Sequence, residues 1–102
     1  MRRSVDDVPT FDAELWLHDG DAAWCFVTLP AELSDDIADQ TAGRAGGFGS
    51  VRVQVTVGGT TWATSLFPDS KRGAYVLPVK KDVRRREGLA AGDRLHVALE
   101  LL

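Results

Sequence analysis

The chain has 102 residues, of which 44% are hydrophobic and 26% charged, and its formal net charge is −3. This length suits one soluble globular domain with a core of its own. A single cysteine excludes an internal disulfide and a multi-thiolate metal site within one chain. No apolar run approaches the roughly 20 residues of a membrane-spanning helix. The N-terminus lacks the apolar segment of a signal peptide, so we expect a cytoplasmic protein.

Charge is distributed unevenly along the chain. Residues 1–50 contain three Lys/Arg and ten Asp/Glu, which gives −7, whereas residues 51–102 contain nine and five, which gives +4. Most of the positive charge falls between Lys71 and Arg86. A basic cluster of this kind is typical either of a solvated helix face or of a surface that binds phosphate groups.

The first part of the chain predicts a hairpin followed by a helix. Residues 11–18 alternate apolar and polar side chains, which is typical of a half-buried strand. Residues 23–29 predict a second strand that is apolar on both faces, and the turn signal at residues 19–21 joins the two. Pro30 follows this strand, and proline is favoured in the first turn of a helix, so we predict a short helix over residues 30–40.

A second hairpin follows a glycine-rich segment. Residues 42–49 predict a loop rather than a phosphate-binding loop, because they lack the Gly-Lys-Ser/Thr ending and lead into a strand. Residues 51–57 alternate strictly and predict a strand. Gly58-Gly59 is a two-residue turn, and residues 60–67 are the partner strand.

The remaining chain predicts a strand, a helix and a last strand. A loop over residues 68–73 precedes a strand over residues 74–77. The next residues, 79–87, predict a second short helix that Gly88 ends. Residues 94–101 alternate again and predict the last strand.

An internal repeat relates the two halves. A strand that ends at Leu29-Pro30 before a helix recurs as a strand that ends at Leu77-Pro78 before a helix. Each helix then leads into a strictly alternating strand, so each half is β-β-α-β. Two such halves closed into one barrel leave no exposed sheet edge. We therefore predict a mainly β domain over residues 10–102, a six-stranded barrel with two short helices, after a flexible segment at residues 1–9.

Several motifs resemble one bacterial family. Residues 24–30 resemble the W-x-F-V-x-L-P opening of the domain-of-unknown-function 1905 family, and the similarity continues at residues 58–59, 65–68, 75–84 and 88–95. The resemblance implies a double-split β-barrel and carries no known catalytic residues.

A more distant similarity concerns the C-terminal part of the chain. Residues 78–101 are similar to the swapped-hairpin DNA-binding domains of transition-state regulators and antitoxins. Those proteins build a related barrel from two chains. Here both halves lie in one chain, which favours a monomer over a dimer.

Four aromatic side chains are the leading candidates for a binding site: Trp16, Trp24, Trp62 and Tyr75. Trp16 falls on the polar side of its strand, and the other three could line one cavity. Aromatic-lined cavities with a few polar groups are typical of small-ligand sites, although the same rings could fill the interior of a small barrel. We expect a non-enzymatic module, without a cofactor, that binds a small apolar or aromatic ligand or a protein partner.

Nucleic-acid binding is the alternative hypothesis. It assigns phosphate contacts to the basic side chains in and before the second helix, Lys80, Lys81, Arg84, Arg85 and Arg86. The sequence pI of about 5.2 is low for such a protein. We therefore rank this hypothesis below small-ligand binding.

A cofactor-free enzyme that uses the barrel cavity is a third hypothesis, but no residue set predicts its chemistry. Cys25 lies mid-strand among apolar neighbours, where a thiol is typically an inert small hydrophobe. His18 with Asp19 and Asp21 is too small a donor set to predict a metal site. His96 lies on the polar side of the last strand.

Overall fold

A computed structural model describes residues 8–18, 24–42 and 49–102. Within these ranges the chain forms seven strands and two helices. In chain order they are β1 (Thr10–Glu14), β2 (Trp16–Leu17), β3 (Cys25–Thr28), α1 (Ala31–Thr41), β4 (Val51–Val57), β5 (Thr60–Asp69), β6 (Ala74–Pro78), α2 (Lys81–Glu87) and β7 (Arg94–Leu101). The predicted turn at residues 19–21, residues 43–48 of the predicted loop and residues 1–7 of the predicted N-terminal segment lie outside the described residues.

The strands form a nearly closed barrel. Their order is β1-β7-β4-β5-β6-β3-β2, and all neighbouring strands are antiparallel. The outermost strands of this order, β1 and β2, are consecutive in the chain and are separated only by Leu15. One stretch of chain therefore supplies both edges, and the prediction of a mainly β barrel is confirmed.

Leu15 explains why the barrel has seven strands rather than the six predicted. Its amide donates to the Asp93 carbonyl at 2.8 Å, and its carbonyl accepts from the Gly92 amide at 2.7 Å. These bonds divide the predicted strand over residues 11–18 into β1, which pairs with β7, and β2, which pairs with β3.

Strand β5 is the counterpart of β1 and β2 in the second half. Its first part pairs with β4 as far as Leu66, and its last three residues, from Phe67, pair with β6. Leu15 and Leu66 occupy these two crossing points, and both side chains are fully buried. Each half therefore passes once from the strands β4 and β7 to the strands β3 and β6. The predicted β-β-α-β repeat is confirmed.

The register of the repeat differs from the one that the prolines predict. The Leu29 amide bonds to the Tyr75 carbonyl at 3.0 Å, and the Val79 amide bonds to the Cys25 carbonyl at 2.9 Å. These reciprocal bonds relate positions whose numbers differ by 50, such as 29 and 79, so Pro30 corresponds to Lys80 and not to Pro78. Pro78 still pairs with Phe26 in the sheet. Because this pairing keeps Pro78 in the sheet, α2 begins at Lys81 and not at residue 79.

The barrel interior is aliphatic. Val53, Val55, Val97 and Leu99 project inwards from β4 and β7, as their strict alternation predicts, and Ile37 of α1 joins the same core. None of the three tryptophans belongs to the fully buried core. Neither of the two described helices is long and apolar enough to cross a membrane.

Candidate ligand-binding site

Four rings lie together on the outer face of β2, β3 and the residues next to them, and we call them the outer aromatic cluster: Trp16, His18, Trp24 and Phe26. Cys25 and Val27 of β3 are buried, so the alternation of the strand places Phe26 on the outside. Phe26 is the centre of the cluster. Its ring centroid lies 5.2 Å from that of Trp16 and 6.2 Å from that of Trp24.

Trp16 is held from two sides within this cluster. Its indole Nε1 donates to the Thr28 hydroxyl at 3.0 Å. The Arg72 guanidinium lies over the Trp16 ring, with Cζ 3.5 Å from the ring centroid, which is a cation–π geometry. The turn that carries Arg72 is fixed because Asp69 Oδ1 accepts hydrogen bonds from the amides of Lys71 and Arg72. Trp16 is therefore a packed and half-buried ring, not an open binding surface.

Trp24 is the open ring of the cluster. Its side chain stacks on Phe26 with an interplanar angle of 14°, and yet Trp24 remains 51% exposed. Beside it lies a cleft of about 290 Å³ lined by Trp24 and the segment Pro78, Val79, Lys80 and Lys81. The bond from the Val79 amide to the Cys25 carbonyl holds this segment against the start of β3. The cleft thus combines an aromatic wall with two lysine residues.

Tyr75 lines a different cleft. A groove of about 450 Å³ lies between α1 and the β5–β6 turn, and its lining includes Ser34, Asp35, Asp69 and Tyr75. The Tyr75 amide donates to the Ser34 hydroxyl at 3.0 Å, which fixes α1 against β6. Among the described lining residues, Tyr75 and Trp24 therefore belong to different clefts.

Trp62 is not among the described lining residues of either cleft. It is half-buried on β5 and packs against the core. Its indole Nε1 is buried and has no hydrogen-bond partner among the described residues. Of the four aromatic candidates, only Trp16 and Trp24 share a cluster, through Phe26. Phe26 was not among the sequence-predicted site residues, and His18 was considered only as a metal ligand. Alternation along β3 is the signal that could have identified Phe26.

The basic candidates are also divided by the structure. Lys80 and Lys81 are exposed and line the Trp24 cleft, whereas Arg85 and Arg86 are exposed on α2 outside its described lining. Arg84 is half-buried, and its Nε donates to the Val79 carbonyl at 3.1 Å. Arg84 therefore supports the segment that lines the cleft.

The other titratable candidates within the described residues lie apart from one another. Cys25 is buried. His96 is exposed, and its Nδ1 lies 2.6 Å from Asp12 Oδ1 on the outside of β1 and β7. Across residues 8–18, 24–42 and 49–102, no three His, Cys, Asp or Glu side chains group as metal ligands. Asp19 and Asp21, considered with His18, lie outside these ranges.

Comparison with known proteins identifies the family of this fold. No curated protein matches the chain. The family model described as Domain of unknown function (DUF1905) matches residues 11–99, which covers both halves of the barrel. The resemblance seen in residues 24–30 and in the later motifs is thereby confirmed, and the chain belongs to the DUF1905 family.

Proposed function

We propose that this protein is a non-enzymatic binding module that holds a small apolar or aromatic ligand in the cleft beside Trp24. The observation that carries the proposal is the half-exposed Trp24 ring, which stacks on Phe26 and forms a wall of a cleft. An aromatic side chain contributes about 150–250 Å² of surface when it is buried. A ligand that covers Trp24 removes apolar surface from water, and this stabilises the complex by about 25 cal/mol per Å².

The cleft suits a small molecule in size and in rigidity. Its volume of about 290 Å³ lies near the lower end of the usual range for ligand pockets, about 300–1,000 Å³. Phe26 supports one face of Trp24 in a nearly parallel arrangement. A supported ring loses little rotamer freedom when a second ring stacks on it, so the side-chain part of the entropic cost of binding is small.

Nucleic-acid binding has less support from the geometry. A phosphate-binding helix face needs several basic side chains that point to one surface. Here Arg84 bonds to the Val79 carbonyl, and Lys80 and Lys81 face the Trp24 cleft. The basic segment that the sequence predicts as one surface is therefore divided. Arg84 has a structural contact, two lysines line the cleft, and Arg85 and Arg86 remain exposed on α2 outside the described lining.

A matched pair of variants tests the proposal. A library of small aromatic and aliphatic compounds is screened by tryptophan fluorescence and by thermal unfolding, and each hit is measured again on Trp24→Ala and on Phe67→Ala. Phe67 is the control because it is 43% exposed and lies outside the described cleft lining. We expect Trp24→Ala to abolish the response and Phe67→Ala to retain it. A library without any hit, or hits that Trp24→Ala leaves unchanged, would contradict the proposal.

A further inference from the structure

We infer that the ligand of the Trp24 cleft is a planar aromatic anion, a ring system that carries a carboxylate or phosphate group. The inference rests on the proposed function and specifies its ligand class. Its basis is the juxtaposition of a half-exposed indole ring and two consecutive exposed lysines in the lining of one cleft. Neither feature alone specifies this ligand, because an exposed tryptophan accepts neutral rings and exposed lysines are common on surfaces.

Two consecutive lysines supply the positive charge of the cleft. Lys80 is the residue before α2, Lys81 is its first residue, and both are exposed. Neither forms a salt bridge within the described part of the chain, and the described lining contains no carboxylate. Within the described lining, no carboxylate therefore competes with an entering anion for these two lysines.

The geometry separates the two parts of the ligand. The aromatic part stacks on Trp24, whose other neighbour in the stack is Phe26. The anionic part lies towards Lys80 and Lys81, whose flexible four-carbon stems allow the ammonium groups to reach it. Stacking requires a flat ring, and the lysines require a negative charge near the edge of that ring.

The second cleft provides an internal contrast. The groove beside Tyr75 has Asp35 and Asp69 in its lining and no basic residue among its described members. An aromatic anion therefore meets favourable charge beside Trp24 and unfavourable charge beside Tyr75. This difference in sign predicts one anion site on the described surface, not two equivalent sites related by the internal repeat.

A small molecule fits the charge distribution better than a nucleic-acid strand. A strand needs a basic groove that follows several phosphates, whereas the described Trp24 cleft has two lysines. Helix α1 presents Glu32, Asp35, Asp36 and Asp39 at exposed positions, and the chain as a whole has a net charge of −3. These carboxylates oppose the approach of a polyanion.

The experiment compares two probes with the same ring, 2-naphthoate and the neutral 2-naphthylmethanol. Dissociation constants are measured by titration calorimetry and by protein NMR at low and high salt. We expect 2-naphthoate to bind more tightly, and salt to weaken only that probe, because exposed charges are screened. Lys80→Gln and Lys81→Gln should each weaken 2-naphthoate about two- to fivefold, and the double variant about tenfold. Arg94→Gln, which removes an exposed positive charge from β7, should leave the affinity unchanged.

The outcomes separate the inference from the proposed function. Equal binding of both probes, with both lost in Trp24→Ala, overturns the anion inference and leaves the binding module intact. Failure of both probes and of the compound library contradicts the module and the inference together. A short oligothymidylate that binds much more tightly than 2-naphthoate, with the same dependence on Lys80 and Lys81, replaces the small anion with a nucleic-acid strand.

Discussion

The Thr60 hydroxyl donates a hydrogen bond of 2.6 Å to Glu87 Oε2, and this contact joins the start of β5 to the end of α2. Thr60 is buried and Glu87 is half-buried, although the two residues are 27 positions apart in the chain. A hydrogen bond to a carboxylate is stronger than one between neutral groups. The contact therefore fixes α2, and with it the segment that lines the Trp24 cleft, to the β4–β5 hairpin.

Thr60→Val should destabilise the fold measurably. The substitution keeps the β-branched shape that suits a strand but removes the donor to a partly buried carboxylate, which costs about 1.5–3 kcal/mol. Thr61→Val is the control, because Thr61 is exposed and shares a hydrogen bond with Thr56 on the surface; its effect should stay within about 0.5 kcal/mol. Urea denaturation of both variants measures the difference, and equal free energies of unfolding would disprove a stabilising role for the Thr60–Glu87 bond.

Gly58→Ala should destabilise the hairpin for two separable reasons. Gly58 has a φ of +57°, which is unfavourable for alanine, and an added Cβ would overlap a carboxylate oxygen of Glu87. Together these effects should cost about 1–3 kcal/mol. Gly59→Ala should cost less, because its Cβ would lie 4.0 Å from Glu87 Oε2. In a double-mutant cycle, Glu87→Ala should remove the steric part of the Gly58→Ala cost. A cost that is unchanged by Glu87→Ala would show that only the backbone conformation matters.

Leu15→Ala tests the crossing point that closes the barrel. The Leu15 side chain is fully buried, and its backbone bonds to the residues that precede β7. Loss of a buried leucine side chain should cost about 2–5 kcal/mol. Leu17→Ala, two residues later and 47% exposed, should cost less than about 1 kcal/mol. Denaturant unfolding of both variants provides the comparison, and similar costs would contradict the assignment of Leu15 to the core.

Elements with a pattern in their own residues were predicted accurately, whereas elements positioned by contacts between distant residues were not. Strict alternation over residues 51–57 and 94–101 predicted β4 and β7 with their observed bounds, because alternation reports directly which side chains face the core. The start of α2 was placed two residues too early. Proline at position 78 resembles a helix start, but pairing with Phe26 keeps it in the sheet. That pairing joins distant parts of the chain, so the residues around position 78 do not indicate it.

The sequence indicates some members of the outer aromatic cluster by residue type, but it does not indicate which candidates lie together. Residue type alone pointed to Trp16 and Trp24, and the structure places both on Phe26. Separation of Tyr75 from Trp24 depends on the order β6-β3-β2 and on the position of α1, which are tertiary features. The link between Trp24 and the lysines depends on the bond from Val79 to Cys25, which again joins distant segments.

Trp62→Phe should lower the free energy of unfolding less than the replacement of a buried tryptophan usually does. The Trp62 indole Nε1 is buried without a described hydrogen-bond partner, a situation that costs about 1–3 kcal/mol. Removal of this donor offsets the loss of packing area, so the free energy of unfolding should change by less than about 1 kcal/mol. Trp16→Phe should cost more, because it removes the bond to Thr28. Chemical denaturation of the two variants ranks them, and a larger cost for Trp62→Phe would indicate that its N–H is satisfied.

Arg72→Ala should uncover Trp16 without unfolding the barrel. The guanidinium covers the Trp16 ring at the surface, and a cation–π contact of this kind contributes about 0.5–1 kcal/mol. In a Trp24→Phe/Trp62→Phe background, Trp16 is the remaining tryptophan, so acrylamide quenching reports on its exposure alone. We expect faster quenching after Arg72→Ala. Lys71→Ala is the control, since Lys71 belongs to the same turn, and the amides of both residues donate to Asp69 Oδ1. Equal quenching in the two variants would show that the turn as a whole, and not the Arg72 guanidinium, shields Trp16.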